Sequence, residues 1–214
     1  MHWLNKRFRH IDTLQQEFND KKDAIRQRLE EFRHVPQKQY FYELVYCLMT
    51  PQSSAIHAAH AQAVFQQLQY RINNLDVEKI LSNKNHYIRF HKTKATWIAA
   101  MKQHYDEIEE VITSNRPASE KRLWLADHVL GLSFKEATHF LRNIGLNEGL
   151  TILDRHIIKN LKFHNVIRTL PKAMTRKKYL AIERAFIRFS VVVGISTDEL
   201  DLLFWSRETG KILK

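Results

Sequence analysis

The chain has 214 residues, of which 34 are Lys or Arg and 23 are Asp or Glu, so its formal charge is +11 with histidine neutral. This length suffices for one or two domains with a buried core, and a hydrophobic content of 44% excludes disorder of the whole chain. Cys47 is the single cysteine, which excludes an internal disulfide and any metal or iron–sulfur site built from cysteines alone.

Helices are the predicted elements throughout, because glycine and proline are scarce and no stretch alternates strongly between apolar and polar residues. In chain order the predicted elements are helices over 4–33, 37–50, 53–70, a short helix after Asp76, a loop over 83–91, and helices over 93–113, 119–130, 134–144, 154–163, 175–193 and 197–209. The pattern S-x-x-E occurs at 133–136 and at 196–199 and predicts a capping box at each of these two helix starts. The fold class predicted from these patterns is all-α.

The charge of the chain indicates an anionic partner. Nucleic acid suits it better than a membrane surface, because no Lys/Arg-rich helix carries a broad apolar face. No apolar run approaches the ~18 residues of a membrane span, and the basic N-terminus lacks the hydrophobic stretch of a secretory signal. We therefore expect an intracellular protein, in the cytoplasm or nucleoid if the organism is prokaryotic, with no membrane partner.

The segment 123–158 carries the most informative pattern, a helical hairpin. Gly131 permits the left-handed geometry that ends a helix, and Ser133 begins the next one. The first backbone N–H groups of that second helix, together with the positive end of its dipole, can bind a phosphate without reading a base. An ordinary hairpin in a helical bundle explains the same pattern, so the turn alone leaves both interpretations open.

Two side chains near this hairpin suit nucleophilic chemistry. Lys135 lies in the first turn of the second helix, where the dipole and partial desolvation would lower the pKa of its amine, as an amine nucleophile requires. A solvated surface lysine is the alternative interpretation. Asp154 follows 19 residues later at a helix start, where it suits an N-cap. A capping carboxylate at the edge of a cleft can also serve a nearby amine.

Taken together, the pattern resembles the helix-hairpin-helix DNA glycosylases. It combines a hairpin with Gly131 and Lys135 and an aspartate in the context L-D-R-H. The segments 47–55, 87–98 and 202–214 are similar to the second class of 8-oxoguanine DNA glycosylase/lyase, the small form best known from archaea. The hairpin of this family usually has a second glycine where this chain has Ser133, and the absence of cluster cysteines fits this class.

The resemblance implies a mechanism. In this superfamily the lysine is the nucleophile, so Lys135 would attack the anomeric carbon of the damaged nucleotide, and Asp154 would assist and stabilise the positive sugar. The resulting Schiff base would allow β-elimination of the 3′ phosphate, with no metal or other cofactor. The base must first leave the duplex, because its sugar is inaccessible there. The implied activity is that of a bifunctional glycosylase and abasic-site (AP) lyase acting on 8-oxoguanine in double-stranded DNA.

The resemblance also implies a base pocket formed by Phe90, Trp205 and the terminal Lys214. Phe90 and Trp205 equally suit core positions, and Lys214 suits a solvated chain end. Gln52 and Ser53 are candidates for contact with the DNA or the base pocket, with a helix cap as the alternative.

Further residues are candidates for contacts with phosphate or with a metal ion. The phosphate contacts are expected from Gly131, Ser133, Arg155 and His156. A mixed basic–aromatic pattern surrounds Phe90 and consists of Arg89, His91, Lys92 and Lys94. His57 and His60 could share one helix face as a metal pair would, but no third ligand is apparent, so no metal site is expected.

The family architecture implies two helical lobes with the hairpin at the cleft between them. One lobe would comprise 37–150, with the hairpin at 119–144, and the other 1–36 with 151–214. The two candidate catalytic side chains would then face each other across the junction, and we expect a monomer. Two alternatives stay open: a glycosylase/lyase for another oxidised base or for abasic sites, and a non-catalytic helix-hairpin-helix module that binds DNA through backbone contacts.

Overall fold

The computed structural model describes residues 8–212. Within that range the regular structure is helical, and no β-strand occurs there, so the predicted all-α class is confirmed. The α-helices are α1 (Ile11–Arg33), α2 (Tyr40–Met49), α3 (Ala55–Gln67), α4 (Val77–Leu81), α5 (His91–Gln103), α6 (Tyr105–Thr113), α7 (Ala118–His128), α8 (Phe134–Asn143), α9 (Arg155–Phe163), α10 (Arg176–Val193) and α11 (Thr197–Thr209). Short 3-10 segments precede α2, at Gln37–Gln39, and α5, at Lys84–His86. Of the helices in residues 8–212, none combines the length and the apolar character that crossing a membrane requires.

The described residues divide into two compact units. The first unit contains 8–34 and 147–212, and the second unit contains Val35–Leu146. In the first unit α11 packs against α1, α9 and α10. In the second unit α2 packs against α3, α5 and α8.

Helix α2 is the centre of the second unit. All of its residues from Phe41 to Met49 are buried, which accounts for its nearly continuous apolar sequence. A buried polar cluster joins α2 to α3 and α8: the Glu43 carboxylate accepts hydrogen bonds from Gln62 Nε2 at 2.9 Å and from Asn143 Nδ2 at 3.2 Å. Because a buried carboxylate is costly unless it is hydrogen-bonded, this cluster fixes the helix that follows the hairpin turn.

A buried histidine organises the first unit. His164 Nδ1 donates to the carbonyl of Arg9 at 2.8 Å, and its Nε2 accepts from Arg207 Nη1 at 3.1 Å. Arg207 also donates to Asn160 Oδ1 and to Glu17 Oε2, both at 2.6 Å. Burial lowers the pKa of His164 to about 4, so its ring is neutral at pH 7. The network joins α1, α9 and α11.

The helix predicted over 93–113 is wrong as a single element. Its chain divides into α5 and α6 at His104, whose φ of −107° lies outside the helical range. The break places the Tyr105 ring against Phe41, with 4.9 Å between ring centroids, and buries it. Tertiary burial of one aromatic ring therefore overrides a local pattern that favours continuity.

Most other predicted boundaries agree with the observed helices to within three residues. The exception is the first helix, predicted over 4–33: within the described residues, α1 begins at Ile11 because His10 has a positive φ of 58°. Residues 4–7 of that prediction lie outside the described range. The predicted loop over 83–91 contains a 3-10 turn and ends one residue earlier, at Phe90.

Candidate active site

The hairpin turn requires its glycine for two separate reasons. Gly131 has a φ of +90°, which confirms the predicted positive φ, and Leu132 N closes the turn by donating to Val129 O at 3.1 Å. A Cβ atom built on Gly131 would lie 2.5 Å from Trp97 Cδ2, inside any real contact distance. The indole of α5 therefore packs directly on the backbone of the turn, where no side chain fits.

The second hairpin helix begins with the predicted capping box. Ser133 Oγ accepts from Lys135 N at 3.3 Å, and the Glu136 carboxylate accepts from Ser133 N at 3.3 Å and from the Ser133 hydroxyl. The carboxylate thus accepts hydrogen bonds from two donors at the helix start, the backbone N–H and the hydroxyl of Ser133. A phosphate that approaches this turn would share the positive end of the helix with Glu136.

Glu136 also holds the candidate nucleophile. Lys135 Nζ lies 2.8 Å from Glu136 Oε1, and the two side chains are 27% and 9% exposed. Burial raises the pKa of the Glu136 carboxyl, but the Lys135 charge and the hydrogen bonds from Lys135 and Ser133 together outweigh it, so the pKa is lowered. Glu136 is therefore ionised and lies in direct contact with the amine. The S-x-x-E pattern predicts the role of Glu136 in the cap but not its contact with Lys135.

The turn between α2 and α3 presents Gln52 to solvent. Gln52 is exposed and has a φ of +56°, and Ser53 N donates to Thr50 O at 3.0 Å. The Ser53 hydroxyl faces inward, where it accepts from Arg89 N at 3.0 Å. Ser54 forms the N-cap of α3, so the alternative interpretation of Gln52 and Ser53 as a helix cap is wrong.

Phe90 lies on the surface, and Lys94 does not. Phe90 is 49% exposed with a φ of +61°, and the Arg89 guanidinium lies over its ring at 5.0 Å, so the core interpretation of Phe90 is wrong. Lys94 belongs to the basic–aromatic pattern around Phe90, but it is only 1% exposed. Its side chain is buried because its ammonium donates hydrogen bonds to acceptors in the interior, among them Ser53 Oγ at 3.0 Å.

The first unit holds the candidate carboxylate at the start of α9. Asp154 Oδ1 accepts from His156 N and from Ile157 N, both at 2.8 Å, which confirms the predicted N-cap. Arg155 is exposed, and its Nε donates to His156 Nε2 at 3.1 Å. The His156 ring lies 5.0 Å from the ring of the partly exposed Trp205. The structure therefore brings these four predicted residues into one cluster.

A cavity of about 580 Å³ opens beside Asp154 within the first unit. Its lining combines the exposed apolar side chains of Leu170 and Met174 with charged groups that include Lys159 and Glu208. Lys159 Nζ lies 2.8 Å from Glu208 Oε1, and hydrogen bonding from Lys159 lowers the pKa of that carboxyl. Asp154 therefore borders open space of mixed apolar and polar character rather than a closed core.

The predicted site residues are distributed over both units. The second unit contains Gln52, Ser53, Phe90, Gly131, Ser133 and Lys135, and the first contains Asp154, Arg155, His156 and Trp205. Lys214 lies outside the described residues. Within residues 8–212, no group of three or more His, Cys, Asp or Glu side chains could hold a metal ion. His57 Nδ1 lies 3.1 Å from the carbonyl of Tyr87.

Comparison with known proteins identifies the family. A family model described as 8-oxoguanine DNA glycosylase matches residues 25–195. The 8-oxoguanine DNA glycosylase/AP lyase of Fusobacterium nucleatum is 35% identical over 98% of this chain and 99% of that protein. The protein of the same name from Methanocaldococcus jannaschii is 32% identical over 90% of this chain and 93% of its own length.

Two solved structures share the fold. The Methanocaldococcus jannaschii 8-oxoguanine glycosylase/lyase, in complex with a 15mer DNA containing 8-oxoguanine, has a TM-score of 0.85 at 30% identity and covers 95% of this chain and 99% of that one. The 8-oxoguanine DNA glycosylase of Thermotoga maritima has a TM-score of 0.83 at 27% identity, over 95% and 98% of the two chains. These matches confirm the resemblance inferred from the hairpin and its flanking segments: the chain belongs to the helix-hairpin-helix family of 8-oxoguanine DNA glycosylases.

Proposed function

We propose that this protein excises 8-oxoguanine from double-stranded DNA and then cleaves the strand as an abasic-site lyase. The observation that carries the proposal is the amine of Lys135 at the start of the hairpin's second helix, 2.8 Å from an ionised carboxylate. The relatives of this chain, which it matches over nearly its whole length, are named for both activities, and one solved relative is in complex with DNA that contains 8-oxoguanine.

In the proposed mechanism Lys135 is the nucleophile. Its ammonium gives one proton to Glu136, and the freed amine attacks C1′ as the C1′–N9 bond breaks and its electron pair leaves with the base. The base then takes up that proton. Transfer of a second proton from the lysine nitrogen to O4′ opens the sugar ring and leaves an iminium between Lys135 and C1′. In the β-elimination a C2′ proton passes to solvent as the C3′–O bond breaks and the 3′ phosphate leaves with its electron pair. Water then hydrolyses the iminium and frees Lys135. Asp154 stabilises the positive sugar during excision.

The remaining site residues bind rather than react. Phe90 and Trp205 offer exposed or partly exposed aromatic faces on which an extruded base can stack. Gln52, Ser53 and the terminal Lys214 complete the proposed base pocket. The proposed phosphate contacts are Gly131, Ser133, Arg155 and His156. The formal charge of +11 supports such contacts with DNA.

The two units correspond, in this proposal, to the two helical lobes that the family architecture implies. Every residue assigned a role comes from a single chain, so a monomer is sufficient for the chemistry. Because the substrate is the cell's own DNA, we propose an intracellular location, in the cytoplasm or nucleoid if the organism is prokaryotic.

Borohydride trapping tests the proposal directly. The protein is mixed with a duplex that contains one 8-oxoguanine opposite cytosine, the iminium is reduced, and the covalent protein–DNA adduct is measured on a gel. Lys135→Gln should reduce the adduct by at least ~10³-fold, the order of loss when a covalent nucleophile is removed. Lys79→Gln, which changes an exposed lysine of α4, is the matched control.

The substrates separate the alternatives. An adduct with a preformed abasic site but none with 8-oxoguanine would retain the lysine chemistry and overturn the assigned base. No adduct with either substrate, together with binding to undamaged duplex, would indicate a non-catalytic hairpin module. In that case Lys135→Gln would change only the salt dependence of binding, by about one phosphate contact.

A further inference from the structure

The most unusual buried group in the second unit is the ammonium of Lys94. Lysine side chains are almost never fully buried unless their charge is satisfied. Lys94 Nζ lies 2.7 Å from the carbonyl of Met49, 2.6 Å from the carbonyl of Pro51 and 3.0 Å from Ser53 Oγ. An ammonium has three N–H donors, so these three acceptors use all of them.

Two of the three acceptors lie on one strained turn, and the third, the Met49 carbonyl, ends the helix before it. The turn connects α2 to α3, with Pro51 in second position and Gln52, at a φ of +56°, in third position, and Ser53 N donates to Thr50 O across it. This is the pattern of a type II turn, whose third position favours glycine. A non-glycine residue there is strained and persists only where the surroundings fix it. Lys94 fixes it by binding the groups on both sides of Gln52.

The same cluster connects the turn to Phe90. Ser53 Oγ accepts from both Lys94 Nζ and Arg89 N, each at 3.0 Å. Arg89 directly precedes Phe90, which is itself left-handed and exposed and adjoins the helix that carries Lys94. Gln52 and Phe90 are both exposed and both have a positive φ. The Ser53 hydroxyl and the Lys94 ammonium thus hold the backbone next to each of them.

The charges of the hairpin's second helix act on Lys94. Burial is the largest cause that lowers the pKa of Lys94 to about 8, and the charge of Lys135 is the next. Glu136 acts in the opposite direction, and Arg89 lowers the pKa further. The helix that carries Lys94 also packs on the hairpin turn through Trp97, so α5 contacts both the turn at Gln52 and the hairpin that carries Lys135.

We propose that Lys94 is a positioning residue for base excision: its buried ammonium holds Gln52 and Phe90 in the arrangement that receives the extruded base. The inference rests on the proposed function. Lys94 does not need to contact DNA, and strand cleavage at an abasic site does not need it to the same degree, because no base has to be held there.

The test compares two reactions of one protein under single-turnover conditions. Excision is measured on a duplex that contains 8-oxoguanine, and lyase activity on the same duplex with a preformed abasic site. We expect Lys94→Met to slow excision tenfold or more and to change lyase activity by less than threefold. A loss of folded protein would reduce both rates in proportion, so the ratio of the rates separates positioning from stability. Lys79→Met is the control, and both of its rates should equal those of the wild type.

A second variant keeps the proposal testable if Lys94→Met does not fold. Ser53→Ala removes one oxygen, and with it the bond from Lys94 and the bond from Arg89, so it should shift the ratio of the two rates in the same direction by a smaller factor. Equal losses in both reactions, or unchanged excision in both variants, would overturn the role of Lys94. A wild-type protein that cleaves abasic sites but leaves 8-oxoguanine intact would instead overturn the proposed function, and the inference with it.

Discussion

Replacing Gly131 by alanine tests whether the hairpin turn is as constrained as its geometry indicates. An alanine with a φ of +90° costs about 1–2 kcal/mol relative to glycine. Its Cβ would also lie 2.5 Å from Trp97 Cδ2 and 3.0 Å from Trp97 Cζ3, so the rigid indole must move. Overpacking of this kind costs about 1–3 kcal/mol. We expect Gly131→Ala to lower the free energy of unfolding by about 2–5 kcal/mol.

Urea unfolding measures this change, and Gly149→Ala is its matched control. Gly149 has a similar φ of +79°, but nothing lies within 4 Å of a Cβ atom built on it. The control should therefore lose only the backbone cost of about 1–2 kcal/mol. Equal destabilisation by the two substitutions would refute the conclusion that Trp97 packs on the turn. The difference between them isolates the contact from the backbone strain.

Two further predictions concern the first unit. Because the pKa of His164 is lowered to about 4, its stabilising contribution is complete above the unfolded value of about 6.5 and is lost as the pH falls from there to 4. Between pH 7 and pH 4 the wild type should lose about 3 kcal/mol more unfolding free energy than His164→Gln, and parallel losses would contradict this. Tyr179 Oη donates to Thr151 O at 2.6 Å and accepts from Leu153 N at 3.2 Å. Tyr179→Phe should lower the unfolding free energy by about 1–3 kcal/mol in urea titrations, and a change below about 0.5 kcal/mol would show that water replaces the hydroxyl.

Local sequence signals predict most of the helices and several of their caps. The capping boxes at Ser133 and Ser196 and the N-cap at Asp154 each depend on two or three neighbouring residues, and the structure contains all three. The break at His104 could not be predicted in this way. It depends on a ring contact between Tyr105 and Phe41, and nothing in the local pattern indicates that pairing.

The residues of the candidate site also fall into those that a local motif predicts and those that depend on contacts distant along the chain. The hairpin and the aspartate after it are compact motifs, so they were found from the sequence. The basic–aromatic pattern around Phe90 does not predict the burial of Lys94, because its acceptors are more than 40 residues away along the chain. A signal did exist: Lys94, Ile98 and Met101 are spaced i, i+4 and i+7 and form the buried face of α5. A lysine that interrupts an apolar stripe in this way indicates a buried charge with specific acceptors.

Glu136 and Lys94, whose contacts the sequence did not predict, share a physical property. Each forms a charged interaction that also restrains another part of the candidate site. Glu136 neutralises Lys135 while it closes the cap of α8, and Lys94 fills three acceptors while it holds a turn that is strained at Gln52. Such groups conflict with local preference, because a buried charge and a left-handed glutamine are each unfavourable alone. They are stable only in combination, since the ammonium satisfies the carbonyls of the turn and the turn satisfies the ammonium. In the sequence, the buried lysine and the left-handed glutamine are each unfavourable. The structure shows that the two stabilise each other within the unit that carries the proposed nucleophile.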